Sequence, residues 1–209
     1  MPFYAVTDIQ CSAHNEPDRS RRARETKRNT VKSTAPKLYV EEPGKVYPPV
    51  RLEEAEYAKA IQSLIVVCTD IGIIDVNSET IYLARRASRP ANGWWWFIGG
   101  RSRVGETELE SAQRCFKRET GLFIETKRFD FICMNRYFFK DRQQTPQEFG
   151  CDSLCYTLSL QLTREERDQI TLDPREYFNG GLKAFHYKDL QSAQWVKDPI
   201  RDFYTMVFS

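Results

Sequence analysis

The residues best suited to chemistry in this chain fall in one run, GGRSRVGETELESAQRCFKRETGL, residues 99 to 122. The glycine pair Gly99-Gly100 lets backbone atoms come close to an anion, because no Cβ stands in the way. The charged stretch after it has helical spacing. On such a helix positions 115, 118 and 119 share a face, being related as i, i+3 and i+4. This chain has Cys115, Arg118 and Glu119 at those positions, so that face offers one carboxylate as a hard oxygen ligand. Glu106 and Arg114 stand eight apart, about two helical turns, and suit an ion pair that ties the loop to the helix. Upstream, Arg86 and Arg101 flank an aromatic run, Trp94-Trp95-Trp96.

These residues need elements to hold them. Leu109, Ala112, Cys115, Phe116 and Thr120 lie along one side of a helix of about four turns from Glu106 to Glu119, and Gly121 is suited to end it. Before the run, LEEAEYAKAIQ has helical spacing with acids in its first turn, where the helix dipole favours them. SLIVVCTD reads as a buried strand, and IGIIDVNSETIYLARRA as two short strands about the Asn77-Ser78 turn. GWWWFIGG is β-prone. After the run, LFIETKRFDFICMNRYFF reads as two strands, and KDRQQTPQEFGCD as a long polar loop. SLCYTLSLQL alternates as a strand with Leu154, Tyr156, Leu158, Leu160 and Leu162 on one face. Thr163 is placed to cap a short helix, GLKAFHYKDL returns to a strand and turn, and DPIRDFYTMVF closes the chain as a helix. The order predicts an α+β layered sandwich with no regular βαβ repeat.

The 209 residues and 24.5 kDa allow one domain with an extension, and 41% hydrophobic content with 13% aromatics supports a true core. The net charge of +2 is unevenly spread. Arg19 to Lys37 holds eight Lys/Arg against the single acid Glu25, a net of +7, which leaves −5 for the rest. Residues 1–50 therefore read as a basic, flexible arm, and residues 51–209 as the folded domain. The basic excess belongs to the arm, so a nucleic-acid-binding domain is not indicated. The six cysteines form no C-x-x-C pair and find only His14 and His186 as metal-ligand companions, a poor basis for zinc. Cys68 and Cys133 read as small core residues. With no signal-peptide core and no apolar run of membrane length, the expected setting is cytoplasmic, with reduced thiols.

From Gly100 onward the run resembles the Nudix motif, G-x5-E-x7-R-E-U-x-E-E-x-G-U, where U is a bulky aliphatic residue. Glu106, Arg114, Phe116, Glu119, Gly121 and Leu122 fall in place, while Cys115 and Arg118 stand where glutamates are usual. The resemblance implies a Nudix-type α/β/α sandwich with a mixed central sheet. The two missing glutamates, together with LARRASRPANGWWWFIGGR, are similar to the GDP-mannose mannosyl hydrolase branch, with Ile98 where proline is usual. That branch uses one Mg²⁺ and breaks the sugar C–O bond.

The resemblance implies several roles. Arg86 and Arg101 would stabilise the leaving diphosphate, and Trp95 or Trp96 would stack on substrate. Gly100, Glu119 and Glu176 would hold Mg²⁺, with Glu176 also able to act as base. Glu148 and Asp152 are rivals for that last role, and His186 reads as a satisfied histidine. The implied partner is a nucleotide sugar, with no membrane and no nucleic acid; a homodimer stays open. Two other readings stand beside it. One is an inactive Nudix module that binds a nucleotide or protein, favoured by a cationic Arg118 at a ligand position. The other is a phosphoanhydride hydrolase with relocated ligands.

Overall fold

The structure is a computed structural model and describes residues 35–209. Most of the expected N-terminal arm, with its basic run and Cys11, lies outside the described residues. Residues 35–50 are exposed and contain no helix or strand, although Tyr47 comes against Gly105.

Helix α1 (Glu54–Ser63) leads into strand β1 (Val66–Asp75), followed by β2 (Thr80–Arg86), β3 (Trp95–Trp96) and β4 (Ile98–Arg101). Helix α2 (Glu108–Thr120) then precedes the long strands β5 (Phe129–Phe139) and β6 (Cys151–Gln161). The chain continues through α3 (Arg164–Asp168), β7 (Tyr177–Phe185), α4 (Tyr187–Ser192) and α5 (Asp198–Phe208). The seven strands form one mixed sheet, ordered β3-β2-β1-β6-β5, with β4 on β1 and β7 on β2. Only the central β1–β6 pair is parallel; it runs in register from Val66↔Ser153 to Ile74↔Gln161. Helices cover both faces, which makes this the expected α+β sandwich with a mixed sheet.

Strand alternation assigns the faces. Odd positions of β1, Ile71 and Ile73, join Leu158, Leu160, Ala112 and Phe116 beneath α2. Even positions turn to α5, where Ile74 packs with Phe97, Ile200 and Phe203. Gly72 is required on that side: a Cβ there would lie 2.3 Å from the Phe203 ring.

Helix α2 begins where its residues can satisfy the free amides. Thr107 Oγ1 accepts from the Glu110 amide at 3.2 Å, and Glu110 accepts from the Thr107 amide at 2.9 Å. Gly121 ends the helix at φ 75°, a left-handed conformation that glycine adopts without a Cβ penalty. The helix starts two residues later than the spacing predicted, because Glu106 belongs to the loop. Thr163 caps α3 in the same manner.

Two expectations about strands change. Residues 66–75 form one strand, where SLIVVCTD and the start of IGIIDVNSETIYLARRA were expected as two, and Thr69 and Asp70 at the junction are buried within it. LFIETKRFDFICMNRYFF gives one strand, preceded by a 3₁₀ turn at Thr126–Arg128. Cys68 and Cys133 are half-buried, and the fully buried thiols are Cys115 and Cys155.

Candidate active site

The loop of residues 102–107 is held to α2 by the expected pair. Arg114 Nη2 donates to Glu106 Oε2 at 2.7 Å and to the Arg101 carbonyl at 2.9 Å. Arg114 holds the Glu106 carboxyl below the usual range, as expected of a persistent pair. Their role is scaffold: they fix how β4 hands the chain to α2.

On the face of α2 turned to β4, Cys115 and Arg118 both approach Gly100. A Cβ at Gly100 would lie 2.6 Å from Arg118 Nη2 and 3.2 Å from Cys115 Sγ. Two of the three motif positions of α2 therefore reach the backbone of the glycine pair, and the third, Glu119, is joined to them through Arg118. Cys115 is fully buried near Thr69 and Ser111, and burial pushes its thiol pKa up. A neutral thiol is a poor partner for a hard cation.

Glu119 is 3% exposed. Its Oε1 accepts from Arg118 Nε at 2.8 Å and also from Nη2, while its Oε2 is buried with no partner. Desolvation raises the Glu119 pKa, opposed first by Arg118; Glu176 adds to the rise and Arg86 opposes it. Among the described residues Glu119 has no hydrogen bond or ion pair with Arg86 or Glu176; they act on it through charge alone.

Arg86 is the anchored member of this group. It ends β2, where its Nε donates to the Pro90 carbonyl at 3.0 Å and its Nη2 to Ser88 Oγ at 2.8 Å. Ser88 in turn donates to Glu176 Oε2 at 2.5 Å, and Arg86 Nη2 lies 3.7 Å from the same carboxylate oxygen. The Glu176 carbonyl accepts from the Ala87 amide, so β2 and the start of β7 fix this group through backbone as well. Ser88 was not singled out in the sequence; a serine in a Pro-containing loop carries no signal until Glu176 is brought opposite it.

The other expected residues are placed elsewhere. Arg101 does not join Arg86: its guanidinium lies over the Tyr57 ring of α1 at 4.2 Å. The reason is alternation, because Gly100 faces α2 and its neighbour in the strand must face the other side. Trp96 is 6% exposed and packs edge-on against Tyr137, Phe97 and Phe139, so its ring serves the core and offers no open face for stacking. Trp95 is half-buried against Phe185 with Lys183 above it. Asp152 pairs with Arg136 at 2.7 Å and Glu148 is exposed; neither contacts this group. His186 caps α4 and its Nδ1 lies 3.2 Å from Thr80 Oγ1, a satisfied edge histidine.

Two buried polar residues escaped the sequence reading. Asp70, on the α5 side of β1, has an unpartnered Oδ2, and burial raises its pKa to about 7 against the pull of Arg86. Arg142, in the long polar loop, is 1% exposed and donates through Nε to the carbonyls of Gln144 and Pro146. Nothing in periodicity marks either one.

The donor set can be tested against the metal that this kind of motif implies. Among the described residues no three His, Cys, Asp or Glu side chains form a metal-binding group. A cluster of two or three ions therefore does not fit. A single divalent ion asks for fewer protein ligands, and the unpartnered, buried Oε2 of Glu119 could supply one of them.

A mixed sheet between helices, with a glycine pair feeding a helix that carries Arg114 and Glu119, defines a Nudix fold. The pattern of the NUDIX domain matches residues 68–205, and the chain belongs to that family. Among solved structures, a MutT NUDIX hydrolase from Burkholderia pseudomallei superposes with a TM-score of 0.54 at 18% identity, covering 69% of this chain and 99% of that one. The E. coli dihydroneopterin triphosphate pyrophosphohydrolase gives 0.51 at 13% identity, over 70% and 98%. A MutT protein from Methanosarcina mazei Go1 gives 0.50 at 15%, over 68% and 91%. At these identities the likeness is one of fold.

Proposed function

We propose that this chain is a Nudix hydrolase that cleaves a nucleoside-diphosphate sugar, releasing nucleoside diphosphate and free sugar by attack of water at the anomeric carbon. The observation that carries this reading is the buried, half-satisfied Glu119, the one carboxylate among the three motif positions of α2, and the preorganised group Arg86–Ser88–Glu176 supports it. Attack at phosphorus brings an anionic nucleophile to an anionic centre, and several metal ions are the usual answer. Attack at carbon passes through an oxocarbenium-like state in which the leaving diphosphate is the charge that needs support. A single carboxylate on the face of α2 suits the smaller demand.

Glu119 and Glu176, with the backbone of Gly100, would hold Mg²⁺, which supplies positive charge to the leaving diphosphate. Arg86 is fixed by Pro90 and Ser88 and lies 3.7 Å from Glu176 Oε2, so it supplies a second, preorganised positive charge. Glu176 is about two-fifths exposed and can meet a water; its carboxylate takes the proton as the C–O bond forms. Arg101 lies on the other face of β4 and is not part of this set. The substrate class rests on the resemblance of residues 83–101 to the GDP-mannose branch and on the depleted helix.

Hydrolysis of GDP-mannose, GDP-glucose and UDP- or ADP-sugars in ¹⁸O-labelled water tests the reading. Label is expected on the free sugar, with inversion at the anomeric carbon. Label in phosphate would replace it with phosphoanhydride hydrolysis.

One observation favours a second reading. The Arg118 guanidinium already sits on Glu119, as in a module that binds a nucleotide without turning it over. Absence of turnover with every nucleotide sugar, alongside measurable nucleotide binding, would select it.

A further inference from the structure

The residue that separates this site from a depleted but otherwise ordinary motif is Arg118. Its Nε and Nη2 hold Glu119 Oε1, and its Nη2 also lies 3.5 Å from the Gly99 carbonyl and directly over Gly100. The guanidinium thus bridges the carboxylate of α2 and the backbone of β4. The pair is lopsided: the Arg118 side chain is 52% exposed and that of Glu119 4%. The cation can leave for solvent, whereas the carboxylate cannot follow. Nη1 makes no hydrogen bond to protein among the described residues. Arg114, the other guanidinium of this face, is only 21% exposed and is held by both Glu106 oxygens and the Arg101 carbonyl.

We infer that Arg118 is a resident cation that latches Glu119 until a nucleotide binds and then moves onto the diphosphate of that nucleotide. The inference rests on reading Glu119 as the ion-holding carboxylate. While latched, Glu119 is neutralised, and a guanidinium beside it repels a divalent ion. A diphosphate carries more charge than one carboxylate and accepts two parallel N–H bonds, so it competes well for the same guanidinium. Its arrival strips Oε1 of its partner and leaves both oxygens of a buried carboxylate in need of a cation. Metal and nucleotide then bind with positive coupling, and by linkage each strengthens the other. The same arginine gives the site a hold on a nucleoside diphosphate without any metal.

Two titrations on the full chain test this, neither of which needs turnover. Mn²⁺ binding, read by the electron paramagnetic resonance signal of the free ion, is measured without nucleotide. Binding of a fluorescent N-methylanthraniloyl GDP is measured in EDTA. Arg118→Gln should tighten Mn²⁺ about tenfold or more and weaken metal-free nucleotide binding by a similar factor. Arg118→Lys should recover part of the nucleotide binding, because it restores charge without the planar fork. Equal Mn²⁺ affinity in wild type and Arg118→Gln overturns the latch. So does metal-free nucleotide binding that is absent in wild type or unchanged by the substitution. Failure of the sugar-release assay would sink the hydrolase reading and leave these titrations standing; two flat titrations would sink the latch and leave that assay untouched.

Discussion

The proposed site turns on one side chain, Glu119. It is buried, half-satisfied, and held by its own neighbour in sequence. Gln at this position keeps the shape and removes the charge, so the fold should persist while the site loses its only carboxylate on α2. Glu119→Gln is expected to lower turnover by at least ~10²-fold, the usual scale for removing a charge-stabilising group. Calorimetric titration with Mg²⁺ should show weaker binding than wild type; equal affinity would remove Glu119 from the metal site. The arginines teach the complementary lesson. Arg86 and Arg101 look equivalent in sequence, yet one is braced by Ser88 and Pro90 beside Glu176 and the other lies on Tyr57.

At the scale of elements, α2 and β4 form one device. Cys115 and Arg118 both reach Gly100, so glutamates restored there would converge with Glu119 on the glycine pair. The double substitution Cys115→Glu with Arg118→Glu is expected to raise the number of bound divalent ions, counted by Mn²⁺ titration. An unchanged count would mean that α2 does not present this face to the metal. On the opposite side of the sheet, β1 and α5 meet at Gly72. Gly72→Ala places a methyl where Phe203 already lies, and overpacking of this kind costs about 1–3 kcal/mol. Chemical denaturation should show the loss, and Phe203→Leu in the same chain should recover part of it. Wild-type stability in the single variant would contradict that packing.

For the whole molecule, the mixed sheet creates a pH dependence that no local segment explains. Asp70 sits inside β1 with its pKa raised to about 7 by burial. A folded-state pKa above the unfolded value means that the native state prefers the protonated acid. Its contribution to stability is therefore complete below about pH 4 and is lost as pH rises through about 7. Asp70→Asn removes this penalty. The variant should exceed wild type in stability on the order of 2–4 kcal/mol at pH 8, and the gap should close as pH falls to 4. A gap that does not change with pH would show that Asp70 is ionised in the folded state throughout.

The sequence by itself determined a good deal of this protein. The period of α2, its Thr107 and Gly121 boundaries, the Glu106–Arg114 pair and the alternation of β6 all follow from local spacing, because caps and side-chain periodicity are short-range properties. The six matched positions of the Nudix motif were legible for the same reason, being fixed offsets along one loop and one helix.

What only the tertiary structure decided depends on which face a residue meets and on what another strand brings opposite it. Arg101 points away from Gly100 because neighbouring strand positions face opposite sides, and Trp96 is claimed by Tyr137 and Phe139 across the core. Ser88 gains a role only when β7 delivers Glu176, some ninety residues later, to within hydrogen-bond reach. Arg142 is a polar residue in a polar loop and Asp70 a charged one in an apolar run; the burial of both side chains is decided by the packed loop and sheet. The latch has the same origin. Arg118 and Glu119 are adjacent in the chain, but it is β4, laid against α2 by its pairing with β1, that places the glycine backbone under the guanidinium and closes the site around it.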